Sequence, residues 1–185
     1  MSIQNVVLIG GGVLGSQIAY QTAYKGFHVT IWLRSDASIG RAQPKLQRLH
    51  DIYVAELTAA KSTPGPYSPG LLDNSRTYTP EEIAGLIAQA DAALTGLPLT
   101  TDLAGAVKDA DLVIEALAEV PQEKIEFYQK LAPLLSEKII LATNTSTLLP
   151  SSLAQYPGRP EKYLARHFAN NIWKQNTAEV MGHPG

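Results

Sequence analysis

Val6-Val7-Leu8-Ile9-Gly10-Gly11-Gly12-Val13-Leu14-Gly15 is the stretch that decides the fold. Its first four residues are apolar and mostly β-branched, which reads as a strand buried on both faces, from about Ile3 to Ile9. Glycines follow at once. Beyond them Leu14, Ile18, Ala19 and Ala23 recur at helical spacing, so a helix is expected from Val13 to Lys25. Gly26 is placed to end it as the C′ residue. Val29 to Leu33 reads as a second strand. Strand, glycine turn, helix and strand in immediate succession form a βαβ unit, the seed of a parallel sheet.

The spacing Gly10-x-Gly12-x-x-Gly15 takes its meaning from that context, after a buried strand and at the opening of a helix. Gly10 permits the tight turn, Gly12 lets a pyrophosphate come close to the backbone, and Gly15 lets the helix pack on the strand. The unpaired amides of the first helical turn, at Val13 and Leu14, and the positive end of the helix dipole are suited to phosphate. The site expected is a dinucleotide site.

An NAD-type unit carries an acid about 20 residues past the glycines to accept from the ribose 2′-OH. Here Leu33 stands in that place, followed by Arg34 and Ser35. A carboxylate would repel a 2′-phosphate, whereas a neutral residue beside a guanidinium accepts one. This inclines the reading to NADP. Asp36, slightly further on, keeps NAD open.

Outward from this unit the α/β alternation continues. Asp36 is placed to cap a helix running, with a kink at Pro44, to about Ala60. Residues 62–78 are rich in proline and glycine and read as a long surface loop. Thr79-Pro80-Glu81-Glu82 is a capping box that starts another helix. A short edge strand is expected at Leu97–Thr101 and buried strands at Leu112–Ala116 and Ile139–Ala142. Pro121 opens a helix with apolar residues at Ile125, Tyr128, Leu131 and Leu135. A last strand is expected at Tyr163–Phe168. The fold class is α/β, a doubly wound, mostly parallel sheet with helices on both faces, in one domain over residues 1–185.

Composition narrows the function classes. Of 185 residues 45% are hydrophobic and 17% charged, as in a globular core, and the net charge of -2 offers no basic field for nucleic acid or anionic lipid. Cysteine is absent, which excludes thiol catalysis and cysteine-ligated metal centres. No apolar run approaches the ~18 residues of a membrane span, and no signal peptide is evident, so a cytoplasmic domain without a membrane or nucleic-acid partner is expected. No metal site is expected. His28, His50 and His183 lie outside any motif and read as surface or packing residues.

Four words in order are more specific: the glycine loop, Asp111-Leu112-Val113-Ile114-Glu115-Ala116, Thr143-Asn144-Thr145-Ser146-Thr147-Leu148, and His167-Phe168-Ala169-Asn170 with Glu179 twelve residues after the histidine. Together they resemble the N-terminal, nucleotide-binding domain of the L-3-hydroxyacyl-CoA dehydrogenases, which include the 3-hydroxybutyryl-CoA enzymes. The resemblance implies hydride transfer between a nicotinamide and C3 of an acyl-CoA. It places the general base on His167, its orienting carboxylate on Glu179, and the hydroxyl that bonds the substrate oxygen on Ser146. It puts Glu115 near the nicotinamide ribose, Asn144 at the cofactor, and Asn170 at the substrate beside the histidine. These types suit the chemistry: a neutral imidazole removes an alcohol proton near pH 7, a carboxylate fixes its tautomer, and a hydroxyl donates to a developing oxyanion.

The sequence departs from that family in three ways. The family continues from the histidine with two aromatics, asparagine and proline, where this chain has Ala169 and Asn171. Leu33 replaces the NAD-type acid. The family's second, helical domain is not in the 185 residues, and the stretch Met181 to Gly185 reads as an interdomain junction. The expectations are that this chain binds nucleotide but turns over acyl-CoA poorly, and that the full-length protein is a homodimer. Two other readings stay open: a dehydrogenase of a 3-hydroxy acid without CoA, and a nucleotide-sensing module without catalysis. Lys45, Arg48 and Lys61 are the cations placed to meet CoA phosphates, and they equally suit a solvated helix face.

Overall fold

The computed structural model describes residues 2–60 and 66–184; Lys61 and the start of the expected loop lie outside the described residues. Seven strands form one sheet: β1 (Asn5–Ile9), β2 (His28–Trp32), β3 (Leu99–Thr100), β4 (Leu112–Glu115), β5 (Ile140–Thr143), β6 (Tyr163–Phe168) and β7 (Ala178–Met181). Their order is β3-β2-β1-β4-β5-β6-β7. The first six are parallel, and β7 runs antiparallel to β6. Strand order reverses between β1 and β4, the switch point at which open α/β sheets bind ligands.

Helices cover both faces. On one lie α1 (Val13–Tyr24), α2 (Asp36–Ala59) and α3 (Pro80–Thr95). Their core is built on Tyr20, Tyr24 and Tyr53, with Tyr53 edge-on to the other two at 4.8 and 5.4 Å. The opposite face carries α4 (Leu103–Val107) and α5 (Pro121–Leu131), where Val107, Phe127, Tyr128 and Leu131 pack on Val113 and Leu141. The short α6 (Pro150–Leu153) closes the β5–β6 connection.

The helix ends follow their local chemistry. Gly26, at φ 90°, ends α1 with the paired Schellman bonds, its own N–H to Ala23 and that of Phe27 to Thr22. The capping box forms as expected: Thr79 Oγ1 accepts from the Glu82 amide, and Glu82 accepts from the Thr79 amide at 2.8 Å. The cap of α2 is Ser35, not Asp36; the serine hydroxyl accepts from the Ser38 amide, and Asp36 is the first helical residue. The helix continues through Pro44 because the buried stripe Ala42, Leu46, Leu49, Tyr53 and Leu57 holds both sides of it to the core.

The expected surface loop is corrected over its described part. Ser68, Leu71 and Leu72 are buried. Ser68 donates to Glu56 at 2.7 Å, Gln21 and Tyr24 donate to the carbonyls of Gly70 and Leu71, and the Gly70 amide donates to Trp173. This segment pins the chain that follows β6. Strand β7 was not expected. Its residues are mostly exposed and carry no apolar alternation, so it is defined by pairing with β6 alone.

Candidate active site

The glycine loop lies at the carboxyl ends of β1, β2 and β4. Gly10 has φ 103°, and a Cβ there would stand 2.9 Å from the Ala116 carbonyl oxygen, so any other residue is excluded twice. A Cβ on Gly15 would collide with the Gly10 carbonyl. A Cβ on Gly12 would meet no protein atom within 4 Å. Gly12 caps α1 without a side-chain bond, and the first intrahelical bond is Ser16 N–H to Gly12 at 3.0 Å. The amides of Val13, Leu14 and Gly15 therefore have no carbonyl of their own helix to bond. Those of Val13 and Leu14 belong to residues at the open side of the loop, Val13 being exposed and Leu14 half-buried, which fits a diphosphate.

A cleft of about 410 Å3 extends from this loop toward the end of β2, with Leu33, Arg34, Ser38, Arg41 and Lys45 in its wall. Leu33 is buried and turns its side chain onto Gly11 and Ala42, so it gives the cleft an aliphatic floor and no polar group. Lys45 reaches back from α2 to donate to the Gly11 carbonyl at 3.0 Å, at the phosphate end of the cleft. Lys45 and Arg48 also line a second groove, of about 420 Å3, with Val13, Gln17, Asn171 and Trp173.

Glu115 requires a correction. It ends β4 beside the loop but is fully buried, as is Lys124, whose Nζ bonds both carboxylate oxygens at 2.7 and 2.8 Å. Tyr128, Thr143 and the Leu117 amide complete its partners at 2.6 to 2.7 Å. Burial, with the Glu115 charge second, holds the Tyr128 hydroxyl far above its ordinary pKa, so it donates. Four donor groups enclose the carboxylate in five hydrogen bonds, and a ribose has no access to it. What Glu115 fixes instead is the turn after β4, which walls the cleft through Ala116 and Leu117.

His167 and Glu179 are brought together. They are register partners across β6 and β7, with Nδ1 3.4 Å from Oε2. Ser146 and Asn170 are exposed at the same end of the sheet, and neither bonds His167. Asn144, nine-tenths buried just past β5, has an Oδ1 without a partner among the described residues. Such an orphaned acceptor fits a ligand hydroxyl or amide. After β6 the chain turns at Asn171, with φ 59° and an N–H given to Gln17 at 2.8 Å. Proline can supply neither that φ nor a donor, so a proline here could not make this turn.

Sequence reading missed several residues here. Glu119 accepts from the Thr145 and Thr147 hydroxyls at 2.7 and 3.0 Å, tying the β4 turn to the β5 turn. Lys124 is a lone cation whose partner only the fold reveals. Ser38 and Arg41 follow Ser35 at intervals of three, a helix-face spacing that could have shown them.

A family model described as 3-hydroxyacyl-CoA dehydrogenase, NAD binding domain, matches residues 5–69 and 70–185. Among solved structures, the chain is 43% identical to a diketoreductase described as performing substrate-directed dual catalysis of dicarbonyl compounds. The TM-score is 0.80, with coverage of 98% of this chain and 56% of that one. It is 26% identical to FadB2 of M. tuberculosis (TM-score 0.69; 93% and 51% covered). It is also 26% identical to the 3-hydroxybutyryl-CoA dehydrogenase of Escherichia coli K12 (TM-score 0.73; 97% and 32% covered). The chain thus spans 56% or less of each of these proteins.

Proposed function

Because the chain belongs to the 3-hydroxyacyl-CoA dehydrogenase family, in its NAD-binding domain, we propose that it moves a hydride between a nicotinamide cofactor and C3 of a 3-hydroxyacyl or 3-oxoacyl compound. The observation that carries this reading is the His167–Glu179 rung at the ligand end of a sheet whose glycine loop is bare. Nδ1 of His167 faces Glu179, which fixes the tautomer and leaves Nε2 for the substrate oxygen. In the oxidative direction His167 takes the hydroxyl proton; in the reductive direction it returns one to the oxygen at C3. Ser146 donates to that oxygen, and Asn170 lines the approach. The amides of Val13 and Leu14 hold the diphosphate, and Asn144 Oδ1 accepts from the nicotinamide half. The bound nicotinamide supplies or takes the hydride.

The cofactor is NADP(H). Two arginines, Arg34 and Arg41, and, among the described residues, no carboxylate line the cleft at the end of β2, an arrangement that favours a 2′-phosphate over a bare ribose diol. The acyl carrier is CoA, for which Lys45 and Arg48 give the second groove a cationic wall. A second reading, a dicarbonyl compound without CoA, is favoured by the 43% identity to the diketoreductase and by a turn at Asn171 that proline could not make.

The test is NADPH oxidation, followed by absorbance, with acetoacetyl-CoA and with a free 3-oxo ester in parallel. Oxidation that His167→Asn abolishes supports the reading, and the faster substrate selects the carrier. A rate indifferent to His167, or an alcohol product formed at another carbon, overturns it.

A further inference from the structure

Four side chains gather where β2 hands over to α2. Ser35 Oγ lies 3.1 Å from Ser38 Oγ, and Arg41 donates to Ser38 Oγ at 2.8 Å, so the three stack on one face of the first two turns. Arg34 immediately precedes them. All four line the same cleft, whose lining includes no acid among the described residues. The cap serine and the start of a 24-residue helix add donors and a positive dipole end at that point. Lys45 is engaged elsewhere, on Gly11 at the diphosphate end.

Arg34 is held from the other side. Its Nη2 lies 3.5 Å from Oε2 of Glu123, in the first turn of α5, and both side chains are largely exposed, at 70% and 49%. Exposed pairs of this length hold weakly. Glu123 lines a neighbouring apolar cleft with Trp32, Leu117 and Phe127, which meets the first cleft at Arg34. The guanidinium therefore stands between the Glu123 carboxylate and a cradle made of two serine hydroxyls and the Arg41 cation.

We propose that Ser35, Ser38, Arg41 and Arg34 form the receptor for the 2′-phosphate of NADP(H), and that Glu123 is its internal competitor. Glu123 holds Arg34 while the cradle is free of phosphate and yields it when the phosphate arrives. This rests on the NADP(H) reading above and adds to it which residues discriminate and which one limits discrimination. The exchange needs only a side-chain rotation. Bidentate guanidinium–phosphate bonds outrank one long, solvated ion pair. A glutamine at 123 would weaken the rival acceptor and remove a negative charge near the incoming dianion.

The experiment is equilibrium titration by nucleotide fluorescence and calorimetry, using NADPH, NADH, 2′,5′-ADP and 5′-AMP, with circular dichroism of each variant. Preference for NADPH over NADH, and for 2′,5′-ADP over 5′-AMP, of about tenfold or more is expected for such charge-assisted contacts. Arg41→Ala and Arg34→Ala should each erase most of it, weakening NADPH and 2′,5′-ADP far more than NADH and 5′-AMP. Glu123→Gln should tighten NADPH and 2′,5′-ADP about threefold or more, with NADH unmoved. Equal or tighter NADH binding overturns the receptor. NADPH preference that survives both arginine changes assigns the phosphate elsewhere and overturns it too. A Glu123→Gln protein with wild-type NADPH affinity overturns the competition. Failure of every nucleotide to bind overturns the cofactor site itself, a distinct result.

Discussion

His167 and Glu179 occupy one rung of an antiparallel pair, Nδ1 to Oε2 at 3.4 Å, although twelve residues separate them in the chain. The rung sets their side chains on the same face of the sheet. Position, and not only charge, is therefore built into β7. Removing the base, as His167→Asn, should lower turnover by about 10²–10⁴-fold while leaving nucleotide affinity unchanged. Glu179→Gln keeps the strand and removes the charge, so it should lower turnover less. Steady-state rates and nucleotide titration on the same preparations check this, and a parallel loss of nucleotide binding would show that the rung is only a strut.

The glycine loop separates folding from binding. Among the described residues, nothing outside the adjoining chain lies within 4 Å of a Cβ at Gly12, whereas one at Gly15 would strike the Gly10 carbonyl. Gly12→Ala should therefore fold with a Tm close to wild type and bind dinucleotide at least tenfold more weakly, because the added methyl occupies the space left for the diphosphate. Gly15→Ala should lower Tm, since backbone must shift to admit it. Wild-type affinity in Gly12→Ala would remove the diphosphate from this loop.

What the sequence revealed was what is written locally. The first βαβ unit, the capping box at Thr79 and the strand at β4 depend on neighbours a few residues apart, and each stands where it was expected. What it hid depends on the sheet. Ala178–Met181 has no strand pattern of its own and is a strand because β6 lies beside it. Glu115 was read at the right place with the wrong partner, since only the fold brings Lys124, Tyr128 and Thr143 around it. The buried loop at Ser68–Leu72 looked like solvent-exposed punctuation because its anchors, Gln21, Tyr24, Glu56 and Trp173, come from distant segments. The Ser35 cap missed its expected position by one residue, within the ordinary uncertainty of a helix start.

His50, read as a surface or packing residue, joins α2 to α3. Its Nε2 lies 2.7 Å from Asp91 and its Nδ1 3.1 Å from Asp51, with Gln47 also at hand. The bond to Asp91 raises its pKa, partial burial opposes, and Asp51 adds to the rise. A group whose folded pKa lies above its unfolded value stabilises fully below the unfolded value, about 6.5, and loses that contribution as pH climbs through the folded value. Wild-type Tm should therefore fall from pH 6 to pH 8 more than that of His50→Gln, as thermal melts across that range would show. Parallel pH profiles for the two proteins would mean that the pair is too solvated to matter.

The Glu115–Lys124 pair carries the sharpest stability expectation. Both side chains are wholly out of solvent, so each charge tolerates its position only because the other is there. Lys124→Met leaves a carboxylate that two hydroxyls and one amide cannot neutralise, and should cost about 3–5 kcal/mol in chemical denaturation. Replacing both, as Glu115→Gln with Lys124→Met, removes the uncompensated charge and should recover a large part of that loss, because a buried ion pair is often no more stabilising than neutral residues of the same shape. The double variant separates stability from function as well. Glu115 accepts the Leu117 amide and so sets the turn that walls the nucleotide cleft. A glutamine can keep that bond, so nucleotide affinity should return with the fold. A double variant that refolds to near wild-type stability yet still fails to bind nucleotide would mean that the carboxylate charge itself, and not the turn it holds, is what the cofactor reads.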